Sequence, residues 1–157
     1  MNREELLKSI KIKFKQSIKD FLDKSETRVY FEIDPKDIKE LTEYLFMDIG
    51  ARFNIASGID TRFNIEIIYH FTIERLNLII SIRVKLDRDK PKVDSITPLI
   101  KGAEWIEREI HELIGVDFTG HPNLKRLLLS DDWPEGVYPL RADYKEWDKG
   151  AIRDRGV

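Results

Sequence analysis

Leu76, Leu78, Ile80, Ile82, Val84 and Leu86 are apolar at every second position, with mostly polar residues between them. A period of two belongs to a strand with one face in a core and the other nearly wet; a helix cannot present that row on one side. The same repeat runs just upstream. Ala51, Phe53 and Ile55 predict a strand that turns at Gly58-Ile59-Asp60, and Phe63, Ile65, Ile67, Tyr69 and Phe71 continue in a second. Connections this short join antiparallel neighbours, so 51–86 is expected to be a hairpin followed by a third antiparallel strand.

Before Gly50 the period is helical. Leu7, Ile10, Phe14, Ile18 and Phe21 recur at three and four, with Lys8, Lys11, Lys15 and Lys19 opposite, which predicts an amphipathic helix from Leu6 to Leu22. Its lysines are expected to be solvated, in preference to lying on lipid or phosphate. Val29, Phe31 and Ile33 alternate as one short strand. Asp34-Pro35 supplies an N-cap and an N1 proline for a second helix carrying Ile38, Leu41 and Leu45. Beyond the charged loop Asp87 to Asp94, Thr97-Pro98 restarts helical structure. The main helix then turns Ala103, Ile106, Ile110 and Leu113 inward and Glu104, Glu107 and Glu109 outward, and ends at a left-handed Gly115.

The predicted fold is α+β: helix-strand-helix, then three antiparallel strands and a helix, one sheet with helices packed on it, plus an extended irregular C-terminal tail. With 157 residues, 41% of them hydrophobic, the chain supports a single core. The expected division is an α+β domain over 1–117 and a tail over 118–157. Gly120, Pro122, Pro134, Gly136 and Pro139 break every periodic run in the tail, leaving at most a helical turn or two around Asn123 to Leu128. Yet it holds Phe118, Trp133, Tyr138, Tyr144 and Trp147, side chains that need a surface to bury against.

Composition narrows the chemistry. Lys+Arg 27 against Asp+Glu 29 gives a net charge of −2, which argues against nucleic acid or an anionic membrane as partner. The 36% charged content, rich in Lys, Glu and Ile, is the kind associated with ion-pair networks at high temperature and points to a thermophile. With no cysteine there is no thiol nucleophile, cysteinyl zinc site or self-ligated iron-sulfur cluster. No run is long and apolar enough to span a membrane and no secretory signal is visible, so the cytoplasm is the expected compartment.

The three histidines form no catalytic constellation. His111-Glu112 begins like a zinc-binding helix, but the position four residues on is Gly115. His111 near a helix C-terminus suits the macrodipole when protonated. His121, between Gly120 and Pro122, is suited to capping a turn, contacting a partner or, last, ligating a metal. Glu107 and Glu109 are two apart, on different helix faces, and make no acid/base pair. No phosphate-binding glycine loop or GxSxG elbow occurs. A metal-dependent hydrolase on His111, Glu112 and His121 therefore ranks last, below a free-standing nucleic-acid module on the Lys8-to-Lys19 face.

Between Glu104 and Tyr144, about a quarter of the chain, lie Glu107-Arg108-Glu109, Gly115, Phe118, Gly120-His121-Pro122, Leu124-Lys125-Arg126, Asp132-Trp133, Pro139-Leu140-Arg141 and Asp143-Tyr144. This ordered set resembles the signature of the NuoC family, the small hydrophilic subunit of complex I with related subunits in energy-converting membrane-bound hydrogenases. Ile114, Ala142 and His111-Glu112 depart from the pattern usual in complex I. The run Trp133 to Arg141 looks closer to the hydrogenase-type members; the membrane-bound sulfane reductase is built on the same plan.

The resemblance implies a non-catalytic subunit of the peripheral arm of a membrane-bound respiratory hydrogenase, on the cytoplasmic side of the membrane. A NADH/quinone-type complex or a sulfane reductase is the alternative. Its tail would wrap the large hydrogenase-type, nickel-iron-type subunit. The nickel-iron site and iron-sulfur clusters would lie in partner subunits, with membrane-arm subunits reached indirectly and no cofactor on this chain. Glu107, Arg108 and Glu109 would contact the tail or the partner, and Arg126 and Arg141 would clamp carboxylates or carbonyls. Gly120, His121 and Pro122 would set a bend. Asp132, Trp133, Pro139, Leu140 and Tyr144 would meet the large subunit, unless all of these are intramolecular packing residues. Ordering such a tail costs roughly 1–2 kcal/mol per residue of backbone entropy, so the isolated chain is expected to have a mobile C-terminus.

Overall fold

The computed structural model describes residues 1–145. Helix α1 (Arg3–Lys13) begins at Asn2, whose side chain accepts the Glu5 amide while the Glu5 carboxylate accepts the Asn2 amide, each at 2.9 Å. This capping box fixes the helix start, and Leu6, Leu7 and Ile10 bury its inner stripe. The helix expected to reach Leu22 ends at Lys13. The chain turns at Phe14, and Ile18–Ser25 form strand β1, antiparallel to β2 (Arg28–Ile33), with Phe21 opposite Phe31. The spacing of Phe14, Ile18 and Phe21 imitates a helix because β1 is an edge strand with irregular register between Ile18 and Asp20 and between Asp23 and Ser25. Only Ile18 and Phe21 lean on the core, and the charges between them blunt an open edge.

Asp34 accepts the Lys36 amide and opens a short turn that leads into α2 (Ile38–Glu43), which is followed at once by a π-turn over Tyr44–Asp48. Three strands follow: β3 (Arg52–Asp60), β4 (Ile65–Ile73) and β5 (Leu78–Leu86). The sheet order is β1-β2-β5-β4-β3, antiparallel throughout except that β2 and β5 are parallel. A bulge between Phe53 and Ile55 turns Ile55 outward, against the expected Ala51-Phe53-Ile55 row, and places Ala56 in the core instead. Phe63 lies outside β4 at the hairpin tip, 90% exposed. Leu76 precedes β5 in a short turn that ends at a left-handed Asn77.

One face of the sheet carries the core. Phe31, Tyr69, Phe71, Ile80 and Ile82 meet Leu6 and Ile10 of α1, Ile38 and Leu41 of α2, and Leu45 of the π-turn in a single cluster. The other face is polar: Arg83 pairs with Glu66 at 3.3 Å, Lys85 with Glu32 at 2.9 Å, and His70 Nδ1 lies 2.9 Å from Ser81 Oγ. Thr97-Pro98 does not open the main helix; a short turn over Lys101–Ala103 does, and α3 runs Glu104–Ile114. Two parallel three-residue strands the sequence did not suggest, β6 (Lys92–Asp94) and β7 (Asp117–Thr119), bury Val93 and Phe118 and tie the ends of this region together. Helix α3 packs on β3, where Gly58 leaves room for Ile110 and Ile114.

Candidate functional site

Helix α3 aligns Ala103, Glu107, Ile110 and Ile114 at four, three and four, so Glu107 falls on the buried stripe and not on the expected outer face. Its carboxylate accepts the Ile96 amide at 2.8 Å, the Thr97 hydroxyl at 2.7 Å and the Ser95 hydroxyl. Burial pushes this carboxyl above the usual carboxylate range, opposed by those three bonds; His121 Nε2 lies 3.8 Å away. The buried Tyr69 hydroxyl is raised in turn by its own burial and then by the Glu107 charge.

His121 follows Gly120, whose φ of +80° turns the chain back toward α3. The Asn123 amide donates to His121 Nδ1 at 3.0 Å, so the partners assign the proton to Nε2, which donates to the Glu104 carbonyl at 3.1 Å. At Gly120-His121-Pro122 the chain turns on a left-handed glycine and on a ring that bridges the helix start to the next turn. Pro122 itself is exposed.

One turn farther along α3, Arg108 and Glu112 hold opposite sides of the same stretch of backbone. Arg108 donates to the carbonyls of Lys125 and Arg126 at 2.9 and 2.6 Å. Glu112 accepts the amides of Leu127 and Leu128 at 2.9 and 2.6 Å. These bonds hold the stretch Asn123 to Leu128, for which at most a helical turn or two is expected and in which no helix forms. Arg126 continues the chain of contacts by donating to the carbonyls of Ser130 and Trp133. The Trp133 indole donates to the Val137 carbonyl at 2.8 Å, and its ring stacks 6.2 Å from that of Tyr144.

The end of α3 is closed by the same segment. The Leu140 amide donates to the Leu113 carbonyl at 3.0 Å, and Arg141 donates to the carbonyls of Ile114 and, at 2.9 Å, Arg88. Carbonyls that a helix terminus would leave orphaned are therefore satisfied. Asp60, at the tip of β3, pairs with Arg88 through two bonds of 3.0 and 2.9 Å and accepts the Ala142 amide at 2.8 Å. The Arg88 guanidinium holds the Asp60 carboxyl well below the usual carboxylate range.

The predicted residues therefore separate into groups. Glu107, Arg108, His121, Arg126, Trp133 and Arg141 face their own chain's backbone or loops. Leu140 is exposed, Asp132 lies at the surface, and Glu109, Pro139 and Tyr144 are half-buried. Residues 146–157 of the expected tail, Trp147 among them, lie outside the described residues. The hydrolase candidates do not converge: His111 Nδ1 faces the Val116 carbonyl at 2.7 Å, and Glu112 and His121 are bound as above. Among the described residues, no group of three or more His, Asp or Glu is placed to hold a metal ion. The sequence reading missed Ser95, Thr97, Asp60, Arg88 and the backbone grip of Glu112. Only Glu107 had a local signal, its place in the 103-107-110-114 stripe.

Residues 31–149 match the family described as the respiratory-chain NADH dehydrogenase 30 Kd subunit. The chain is 31% identical over 157 residues to a subunit of the F(420)H(2) dehydrogenase of Methanosarcina mazei, an alignment that covers 98% of this chain and 99% of that protein. It is 33% identical over 114 residues to formate hydrogenlyase subunit 5 of Escherichia coli, covering 70% of this chain but only 20% of that longer protein. Among solved structures, a chain of the membrane-bound sulfane sulfur reductase, an archaeal respiratory membrane complex, superposes with a TM-score of 0.79 at 23% identity, covering 97% of this chain and 89% of the other. A fragment of Nqo5 gives 0.64 at 19% identity over 79% of this chain and all of the other. These two likenesses carry the fold.

Proposed function

Because the chain belongs to the family of the respiratory-chain NADH dehydrogenase 30 Kd subunit, we propose that it is a non-catalytic subunit of a membrane-bound, hydrogenase-type relative of complex I. In this reading it sits peripherally on the cytoplasmic side and docks on the large nickel-iron-type subunit through the segment clasped by α3. The nickel-iron site and the iron-sulfur clusters belong to partner subunits.

One observation carries the proposal. The irregular segment after Gly120 is held by charge-assisted bonds to α3, and within it Leu128 (61% exposed) and Leu140 (59% exposed) remain at the surface, as Trp105 (66% exposed) does on α3 itself. A segment fixed in place before association has less entropy left to lose on binding, which favours a preorganised interface. Arg126, Trp133 and Arg141 then act as positioning residues, and the exposed leucines are the contact.

Assembly in cells that carry Leu128→Asp together with Leu140→Asp tests this division. Recovery of the large subunit with the tagged variant is expected to fall by about tenfold or more, as for loss of interface anchors, while the melting temperature of the isolated chain stays at the wild-type value. Wild-type recovery would remove this face from the interface. The end-to-end alignment with the methanogen protein favours a second reading, a subunit of an F(420)H(2) dehydrogenase. It assigns the chain the same duty beside different partners, and assays of the purified complex for F(420)H(2) oxidation and for hydrogen evolution separate the two.

A further inference from the structure

We propose that the groove between α1 and β1 receives an acidic segment, studded with apolar side chains, from a second partner polypeptide. The groove, of about 790 Å³, is lined by Leu7, Ile12 and Phe21, by Lys8, Lys11 and Lys15, and by the acid Glu4. Ile12 is 67% exposed at the centre of a lysine-rich surface, where a solvated helix face has no need of it.

The charge of the groove selects its occupant. The Lys11 ammonium rests 3.5 Å from the centroid of the Phe21 ring, and neither it, Lys8 nor Lys15 forms an ion pair among the described residues. At the groove's end, Arg3 and Asp23 neutralise each other through bonds of 3.1 and 2.5 Å. With Glu4 set against Lys8, Lys11 and Lys15, the lining is still positive, on a chain whose net charge is −2. Exposed ion pairs contribute little to affinity, so the apolar part of the lining must supply the grip while the lysines choose an acidic partner and speed its approach. Concavity favours inserted side chains over the plane of a bilayer.

Position makes this a second partner. In the order β1-β2-β5-β4-β3 the groove borders the β1 edge, whereas α3 packs on β3 at the opposite edge. The inference rests on the reading that the chain works inside a complex, and it turns a docking subunit into a bridge between two neighbours.

Lysine acetylation followed by mass spectrometry, on the isolated chain and on the native complex, tests it. Labelling of Lys8, Lys11 and Lys15 is expected to fall about tenfold in the complex, the drop that nine-tenths occupancy produces, while Lys39 on α2 is unchanged. Zero-length coupling in the same complex should join these lysines to carboxylates of another subunit, in a stretch that also carries apolar residues. The triple variant Lys8→Glu/Lys11→Glu/Lys15→Glu should release that subunit and keep the large one. Equal labelling in chain and complex overturns the inference and leaves the docking reading intact; a chain that enters no complex overturns the docking reading first. Protection of the lysines by phosphatidylglycerol vesicles, with no coupling to a subunit, overturns it in favour of a lipid surface.

Discussion

Glu107 and Asp60 are both enclosed carboxylates, yet their surroundings move them in opposite directions. At Glu107 burial dominates and raises the folded value; at Asp60 the bidentate Arg88 dominates and lowers it. The signs of their effects on stability follow. Asp60 contributes stability at pH values above its unfolded value of about 4, and the contribution is lost as pH falls below that toward the depressed folded value. Glu107 behaves in reverse: the folded state holds its proton more tightly, so stability declines as pH rises from about 4 through the raised value. Urea midpoints from pH 3 to pH 8 should separate the two. The gap between wild type and Asp60→Asn is expected to widen with rising pH, and the wild type is expected to lose stability relative to Glu107→Gln over the same range. Parallel curves for wild type and Asp60→Asn would mean that the Arg88 pair does not survive in solution.

Between elements, Gly115 is where α3 and the clasped segment meet most tightly. Its φ is +88°, and a Cβ there would lie 2.5 Å from the Tyr138 ring. Gly115→Ala thus meets both a left-handed backbone and an aromatic wall, and is expected to cost about 2–3 kcal/mol in chemical denaturation. Gly58→Ala, with an ordinary backbone, meets the terminal Cδ1 methyl of Ile114 at 2.7 Å, which can turn aside, and Cγ2 of Ile110 at 3.0 Å, which needs only a small shift; about 1 kcal/mol is expected. Equal costs would mean that Tyr138 does not seat on Gly115. The sequence announced Gly115 because helix periodicity ended there, and it announced β4 and β5 because their alternation is unbroken. It hid β1, an irregular edge strand touching the core at two residues, and it hid Glu107, whose charge argues for solvent although its spacing argues for the core. The grip of Arg108 and Glu112 on residues 125–128 left no pattern to read, since the groups they hold are peptide amides and carbonyls that any residue supplies.

At the scale of the whole molecule, the question is whether the segment from His121 to Lys145 belongs to the domain or only to its partner. Each residue ordered costs roughly 1–2 kcal/mol of backbone entropy, so most of what Arg108, Glu112, Arg126 and Arg141 contribute offsets that cost, and the surplus is small. Half-buried Leu124 against the core, and Tyr138 over the end of α3, add apolar contact to it. The surplus is nonetheless favourable, because removing the segment strands the buried Glu112 carboxylate without its amides and opens the last carbonyls of α3 to water. A chain ending at Gly120 keeps Phe118 and the β6–β7 pair and should retain its sheet by circular dichroism. Its melting temperature is expected to fall by about 5–10 °C, the shift that about 2–3 kcal/mol produces in a domain of this size. Glu112→Gln in the full chain should act in the same direction and more weakly, with faster hydrogen exchange at Leu127 and Leu128 and unchanged exchange in β4 and β5. A truncated chain that melts at the wild-type temperature would show that the segment leaves α3 in solution and is ordered only by the subunit it meets.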